Sequence, residues 1–550
     1  MWMEASHRSC VRSFDFAVLD KELFLLCDEH LTASGNSCNV RPTMRLKFLS
    51  WIVLSCAAFI ANGQNAAPNA QVLSISLDES IRYVLQRNLQ IRLGRTSPQV
   101  ARLNLEGAYG LYDPILSGRA AQNYNSSPGR LDPTVGTGIV PGSRTWSEDF
   151  TLGLSGNLPT GARYELNSHL NRLSGEAYSQ ASNLWVNLPF QYSSDVSVSV
   201  SQPLLKDFWI DSGRLNIKVL KKEIKMSEYA LQDTIMSVVN QTAGAYYDLI
   251  AARDQVTVRE MALQLKEQFL SETKKKVQAG TLAQLDEKQA ESEAATAKAL
   301  LITARSNAEQ AENVLKTLIT DDFASLHSTT IQPSEKLLAM TQVINVIESW
   351  RTGLEQRPDY LRLKEELETQ NIILKYAKNQ LYPSLDVVGT YGRNGLGATT
   401  SDSLDTIADG RFPKWGGAVV LTLPLSRKTE RANHKIQKVN VSNAILQLKT
   451  LEENIKSSID DAVKKVRSNF ATIESTREAR VFAEAALDAE QKKLENGKST
   501  NFQVLELQDK LTQARAAEIR ALTDYNKGLH DLYLREGTTL QRNKINLEVK

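Results

Sequence analysis

Two stretches, KKVQAGTLAQLD at residues 275–286 and KKLENGKSTNFQ at 492–503, each run a long charged helical pattern into one glycine and restart a helix at once. The glycines, Gly280 and Gly497, stand 217 positions apart. A motif repeated on this scale points to a duplicated unit, and the rest of the repeat can be traced. ESIRYVLQRN (79–88) aligns with ESWRTGLEQR (348–357) at an offset of 269, and Pro114 of YDP falls on Pro383 of LYP at the same offset. VSQPLL (200–205) then answers LTLPLS (421–426). Each half therefore reads helix, proline, strand region, proline, long helix, glycine turn, helix.

Helix lengths limit how the unit packs. Apolar and small residues recur at Ile235, Val238, Val239, Thr242, Ala245, Tyr246, Leu249 and Val256, the three-four spacing of a helix stripe. The stripe predicts a helix from about Leu215 to Gln278, roughly 95 Å long at 1.5 Å per residue. A second runs from about Thr429 to Glu495. Helices of this length pack lengthwise against others in coiled-coil fashion. The leading helices, at about 78–110 and 346–380, and the trailing ones, at about 283–318 and 500–534, are each near 35 residues long by this reading. Two placed end to end match one long helix. The chain thus supplies four rods to a cylinder, two continuous and two spliced.

The strand regions change period. In DVSVSVSQ, Val196, Val198 and Val200 alternate with Ser197, Ser199 and Ser201; in WGGAVVLTLPL, Trp415, Val419, Leu421, Leu423 and Leu425 alternate with small or polar neighbours. DFTLGLS and RYELNSHL show the same alternation inside a first-half region about 48 residues longer than the second. Trp146, Trp185, Trp209 and Trp415 lie in or beside these regions, as the interface girdles of a membrane barrel require. An ordinary antiparallel sheet on a core is the alternative, but a chain of rods offers no globular core to cover. One strand pair per half gives about four spanning strands, too few to close a barrel. Open edges are not tolerated in lipid, so the barrel must be shared between subunits. Two copies would give eight strands and three would give twelve; the residues do not choose.

The segment Met44–Gln64 has a basic start at Arg45 and Lys47, an apolar run and small residues at Ala61 and Gly63. This is the layout of a secretory signal over 44–63, with residues 1–43 an upstream extension from a misplaced start and the mature protein beginning near Gln64. Acylation at Cys56 is the alternative reading of VLSC, opposed by the apolar residues that follow it. All four cysteines (Cys10, Cys27, Cys38, Cys56) fall in the first 56 residues, so neither a disulfide frame nor a thiolate metal site is available beyond them. The net charge is +2 with no basic block, which argues against nucleic acid as partner. Neither H-E-x-x-H nor G-x-S-x-G occurs, and no enzymatic, cofactor or metal site is expected. GRNGLG (392–397) follows a strand and enters a Ser/Thr/Asp-rich stretch, so it reads as an extracellular strand-connecting loop.

LDEKQAESEAATAKALL (285–301) and FQVLELQDKLTQARAAEIRALTDYNKGLHDLYLREGTTL (502–540), with D-x-x-Q-A-E and L-x-x-A-x-x-x-x-x-x-A-x-x-x-Y spacings, resemble the TolC family of outer-membrane efflux proteins. The resemblance spans about residues 75–540. It implies an α+β membrane protein of two helix-strand-helix repeats. The first covers 75–320, with strand region 114–204; the second covers 346–540, with strand region 383–425. A 321–345 linker joins them and a 541–550 tail follows. As a homotrimer the family forms a 12-stranded transmembrane β-barrel continued by a periplasmic helical barrel. Its members are exit ducts for small molecules or proteins, working with a periplasmic adaptor and an inner-membrane pump. A periplasmic coiled-coil adaptor or scaffold without a channel is the rival reading.

The resemblance places adaptor contacts at the hairpin tips Ala279-Gly280-Thr281 and Asn496-Gly497-Lys498. It places the periplasmic constriction at Gln503 and Glu506, with Asp286 across the hairpin interface. The family's usual second acid is Gln503 here, and the tyrosine and arginine that bond around the interface acid are replaced by Leu494 and Ser499.

Overall fold

The structure is a computed structural model that describes residues 72–131, 139–140, 142–179 and 184–545. The expected signal segment, Cys56, Gln64 and the end of the tail lie outside the described residues. Ten strands and eleven helices are described, labelled in chain order. The strands are β1 (Val72–Ile75), β2 (Ile115–Ser127), β3 (Arg130–Leu131), β4 (Ile139–Val140), β5 (Ser143–Asn157), β6 (Arg163–Ser179), β7 (Leu184–Pro203), β8 (Thr330–Pro333), β9 (Ser384–Gly397) and β10 (Pro413–Thr422). The helices are α1 (Leu77–Arg87), α2 (Leu89–Tyr109), α3 (Ser212–Gln278), α4 (Gln284–Ile319), α5 (Phe323–Leu326), α6 (Val346–Gln356), α7 (Pro358–Asn379), α8 (Thr400–Ala408), α9 (Lys428–Glu495), α10 (Asn501–Glu536) and α11 (Thr539–Arg542).

The rods splice as their lengths predict. The first half of α3 packs on α2 and α7, with Arg102 Nη2 bonding Glu228 at 3.0 Å and Lys222 Nζ bonding Glu365 at 2.8 Å. Its second half packs on α4 and α10, with Arg253 bonding Glu312 at 3.0 Å and Gln255 donating to the Ala516 carbonyl at 3.2 Å. Helix α9 lies beside α7 and then α10. Across the layer the rods are therefore α2 over α4, α3, α7 over α10, and α9.

Each leading helix is broken, where one continuous helix was expected. Asn88 leaves the helical region (ψ 127°), accepts from the amides of Gln90 and Ile91, and donates to the Leu318 carbonyl at 3.0 Å. At the matching place in the second repeat Arg357 is extended and Pro358 opens α7, since proline suits a first helical turn and forces the preceding residue out of the helix. The kinks sit where the spliced rods meet. There the parallel pair β1–β8 and a core around Ile75, Ile331, Tyr246 and Leu315 gather in the first repeat. Ile455, Ile459, Val463 and Tyr525 with Trp350 form the corresponding core in the second.

The strand count departs from expectation. Six strands, not four, form one antiparallel sheet in the order β10-β9-β7-β6-β5-β2. The longer first-half region supplies two hairpins because its extra residues pair fully: Ser143–Asn157 against Arg163–Ala177 without a break. Along β5, Phe150, Leu152 and Leu154 lie on one face and Ser147, Asp149, Thr151 and Ser155 on the other, and the register carries both faces across the sheet. Val198 and Leu421 share the apolar face; Ser199 and Thr422 share the polar one.

GRNGLG is also corrected. It is the end of β9, and it leads into a helix, α8, capped by Thr399 and Asp402. Its glycines admit that helix: a Cβ on Gly395 would lie 2.1 Å from the Ser403 carbonyl oxygen. No described helix is long and apolar enough to cross a membrane.

Candidate functional site

Both hairpin tips close in the same way. Gly280 (φ +77°) and Gly497 (φ +69°) occupy the left-handed region, where a side chain is strained even though a Cβ at either would meet no atom within 4 Å. Conformation, not space, demands glycine there. In the first tip the Thr281 amide reaches back to the Lys276 carbonyl and the Gly280 amide to Val277; in the second, Lys498 reaches Lys493 and Gly497 reaches Leu494. This is the paired-bond closure of a helix ending in a left-handed residue. Ala279, Gly280, Thr281, Asn496, Gly497 and Lys498 are all exposed.

The acid positions behave differently from one another. Asp286 and Gln503 each stand six residues past their glycine, and each caps the helix it belongs to. Asp286 Oδ2 accepts the Ala283 amide at 3.1 Å, and Gln503 Oε1 accepts from Thr500 and from the Ser499 hydroxyl at 3.0 Å. Their side chains are thus occupied at the start of α4 and α10. Glu506, one turn on, is exposed and ion-paired to Lys510 of its own helix at 2.7 Å. The structure does not join these three side chains within one chain. Ser499 and Leu494 have found other work: Ser499 bonds Glu490 at 2.5 Å, and Leu494 packs on the tip core of Phe269, Leu487, Val504 and Leu505. The Ser499 hydroxyl, with Lys493 beside it, holds the Glu490 carboxyl below its usual range.

Two features escaped the sequence reading. Leu285 and Phe502, each five residues past its glycine, are apolar and 77% and 62% exposed. They present one apolar side chain per tip, at positions the repeat relates. Lys266 is 4% exposed and bonds Glu293 at 3.1 Å and Asp509 at 3.0 Å, joining α3, α4 and α10 just above the tips. Its signal was a lysine in the three-four stripe that continues through Phe269 and Thr273. Among the described residues no cluster of histidine, cysteine or carboxylates could hold a metal.

A layer of spliced rods running into one amphipathic sheet, with exposed glycine tips at the far end, defines a channel-type outer-membrane architecture. The family profile described as outer membrane efflux protein matches residues 172–320 and 352–537, more than half of the chain. The chain belongs to that family. It is accordingly an outer-membrane protein that extends into the periplasm, and its family is one of transport channels, not of enzymes. Solved structures share its fold. CusC superposes with a TM-score of 0.62 at 15% identity, over 87% of this chain and 95% of the other. The Campylobacter jejuni CmeC outer membrane channel gives 0.60 at 17% identity, over 84% and 86%. The open-state Neisseria gonorrhoeae MtrE outer membrane channel gives 0.58 at 17%, over 86% and 93%. No curated protein matches the sequence.

Proposed function

We propose that three copies of this chain form the outer-membrane exit duct of a tripartite efflux or secretion system, passively conducting what a pump and adaptor deliver from the periplasmic side. The observation that carries the reading is that rods and sheet both end in open edges on the same two sides. One side is α2 over α4 with β2 following α2; the other is α9 with β10 leading into it. Apolar side chains stand exposed on both outer rods, Leu93, Leu103 and Ile302 on one and Ile436, Leu446 and Phe482 on the other. A neighbouring copy covers both edges at once. A periplasmic scaffold without a channel would leave Phe150, Leu152 and Leu166 on an uncovered sheet face.

In this reading the tips carry the adaptor contacts, through Ala279–Thr281 and Asn496–Lys498, with Leu285 and Phe502 beside them. Glu506 of three copies lines the constriction, each partly balanced by its own Lys510. Exposed pairs of this kind hold weakly, about 0–1 kcal/mol, so the carboxylates keep much of their field. The test is conductance of purified protein in planar bilayers. Stable steps with cation preference are expected; Glu506→Gln lowers that preference and Lys510→Gln raises it. Absence of conductance from the assembled protein refutes the channel, and unchanged reversal potentials in both variants refute the ring.

A further inference from the structure

Each chain lends six strands to its sheet, where four were expected. We infer that β2 of one copy pairs with β10 of the next, so that three copies of six strands enclose an 18-stranded barrel as wide as the tunnel of rods beneath it. The inference rests on the three-copy reading above and specifies how the copies join.

The additional hairpin is part of the wall and not an outer decoration. The turn that links the additional hairpin β2–β5 to β6, residues 158–162, is fastened to the rod ends. Asn157 Nδ2 donates to the Leu111 carbonyl at 3.1 Å, Gln202 Nε2 donates to the Thr160 carbonyl at 3.3 Å, and the Arg214 guanidinium lies against Gly161 while donating to the Pro159 carbonyl at 3.4 Å. Strand β2 leaves from α2 at this same level, and β7 returns there to start α3. All six strands therefore begin or end at the rods.

The two faces also run unbroken across the sheet. On the polar face one belt of side chains crosses from β5 to β10. Asn171 bonds Asp149 at 2.5 Å, His169 lies 3.3 Å from Asp149 and 3.7 Å from Asp195, and Lys414 bonds Asp195 at 2.7 Å. A hairpin lying outside the wall would have no reason to share such a belt.

Edges and widths then choose the partner. Strand β2 is paired on one side by β5 and β10 on one side by β9, which leaves two rows of backbone groups that lipid cannot satisfy. Strands about 4.8 Å apart and tilted near 40° each take about 6.3 Å of circumference, so 18 give roughly 113 Å and 12 roughly 75 Å. Twelve rods about 9.5 Å apart give roughly 114 Å. Six strands per four rods match the two layers without a taper.

The experiment uses disulfide trapping, which the absence of cysteine beyond Cys56 permits. Single cysteines at Ser117, Arg119 or Ala121 of β2 are combined with ones at Ala418, Val420 or Thr422 of β10 in the full chain, and native mass spectrometry counts copies separately. The expected result is three copies, with one register of β2–β10 pairs trapped as a covalent trimer on a non-reducing denaturing gel. A second series, at Glu165, Asn167 or His169 of β6 with the same β10 sites, tests the competitor. Trapping of β6 to β10 means that the β2–β5 hairpin leaves the wall and twelve strands close, which overturns the inference. So does three copies with neither series trapped. A copy number other than three removes the reading beneath it, whichever edges are trapped.

Discussion

Lys266 offers the sharpest check on how the tips are held. Its ammonium is buried to 4% exposure, while its partners Glu293 and Asp509 remain 37% and 53% exposed. The two sides of the interaction are therefore unequal. Lys266→Met leaves two carboxylates that water can still reach, removes the cost of burying a charge and fills similar volume, so the change should stay within about 1 kcal/mol. Glu293→Gln with Asp509→Asn leaves a buried, uncompensated ammonium and should cost about 3 kcal/mol or more. Hydrogen exchange of the assembled protein reads this locally, because helix ends near the tips open without global unfolding. About 3 kcal/mol corresponds to roughly 100-fold faster exchange in the peptides spanning the ends of α3, α4 and α10. Equal acceleration by Lys266→Met would refute the argument, since the lysine would then be holding the tip by attraction and not merely tolerating its burial.

Gly280→Ala and Gly497→Ala should each destabilise their tip by about 1–2 kcal/mol, since φ there is +77° and +69° and no neighbour interferes; equal loosening of both tips by exchange is expected, and no loosening would place those turns elsewhere in φ. Val198→Arg or Leu421→Arg should cost roughly 2–4 kcal/mol if the apolar face meets lipid near the midplane, against far milder effects of Ser199→Arg and Thr422→Arg; the mobility of the unheated assembly on gels measures it, and equal losses in both sets sink the face assignment. His530 is half-buried beside Tyr247, and loss of water around its ring pushes its pKa down to about 4 from 6.5. The unfolded chain then binds the proton more readily, so stability from this residue is complete above about pH 6.5 and drains as pH falls towards about 4, by about 3 kcal/mol in all. Replacing His530 with Phe should flatten that part of the pH–stability curve, and an unaltered curve would exclude His530 as its source.

The rods were legible because each is specified locally. A three-four stripe sustained through α3, a matching length in α9, and a glycine at each reversal need no knowledge of partners. The kinks were less so: Asn88 announces itself as a cap only once Leu318, 230 residues away, is known to receive its amide. The third pair of strands was legible only in part, for an electrostatic reason. Alternation shows in DFTLGLS and RYELNSHL, but beyond them Arg144, Glu148, Arg172 and Glu176 interrupt the apolar face of β5 and β6. Register resolves them, pairing Arg172 with Glu148 at 2.9 Å and Arg144 with Glu176 at 3.5 Å, while both arginines lie over the rings of Trp185 and Phe190. The capping roles of Asp286 and Gln503 are written in their equal distance, six residues, past each glycine, where a polar side chain at a helix start meets free backbone amides.

The duplication is symmetric in the rods and asymmetric in the sheet, and topology limits the form that asymmetry can take. The first repeat contributes β2, β5, β6 and β7; the second contributes β9 and β10. Both must deliver the chain back to the rod end, because α3 and α9 start there and run the full length of the layer. A single extra strand would leave α3 starting on the far side of the membrane. Growth of the wall is therefore confined to whole hairpins, and the turn at 158–162, held by Arg214 and Asn157 at the rod ends, is what one added hairpin requires on its inner side. The sheet gains two strands per chain while the number of rods stays at four, so the width of the sheet and the geometry of the glycine tips are set by separate parts of the sequence.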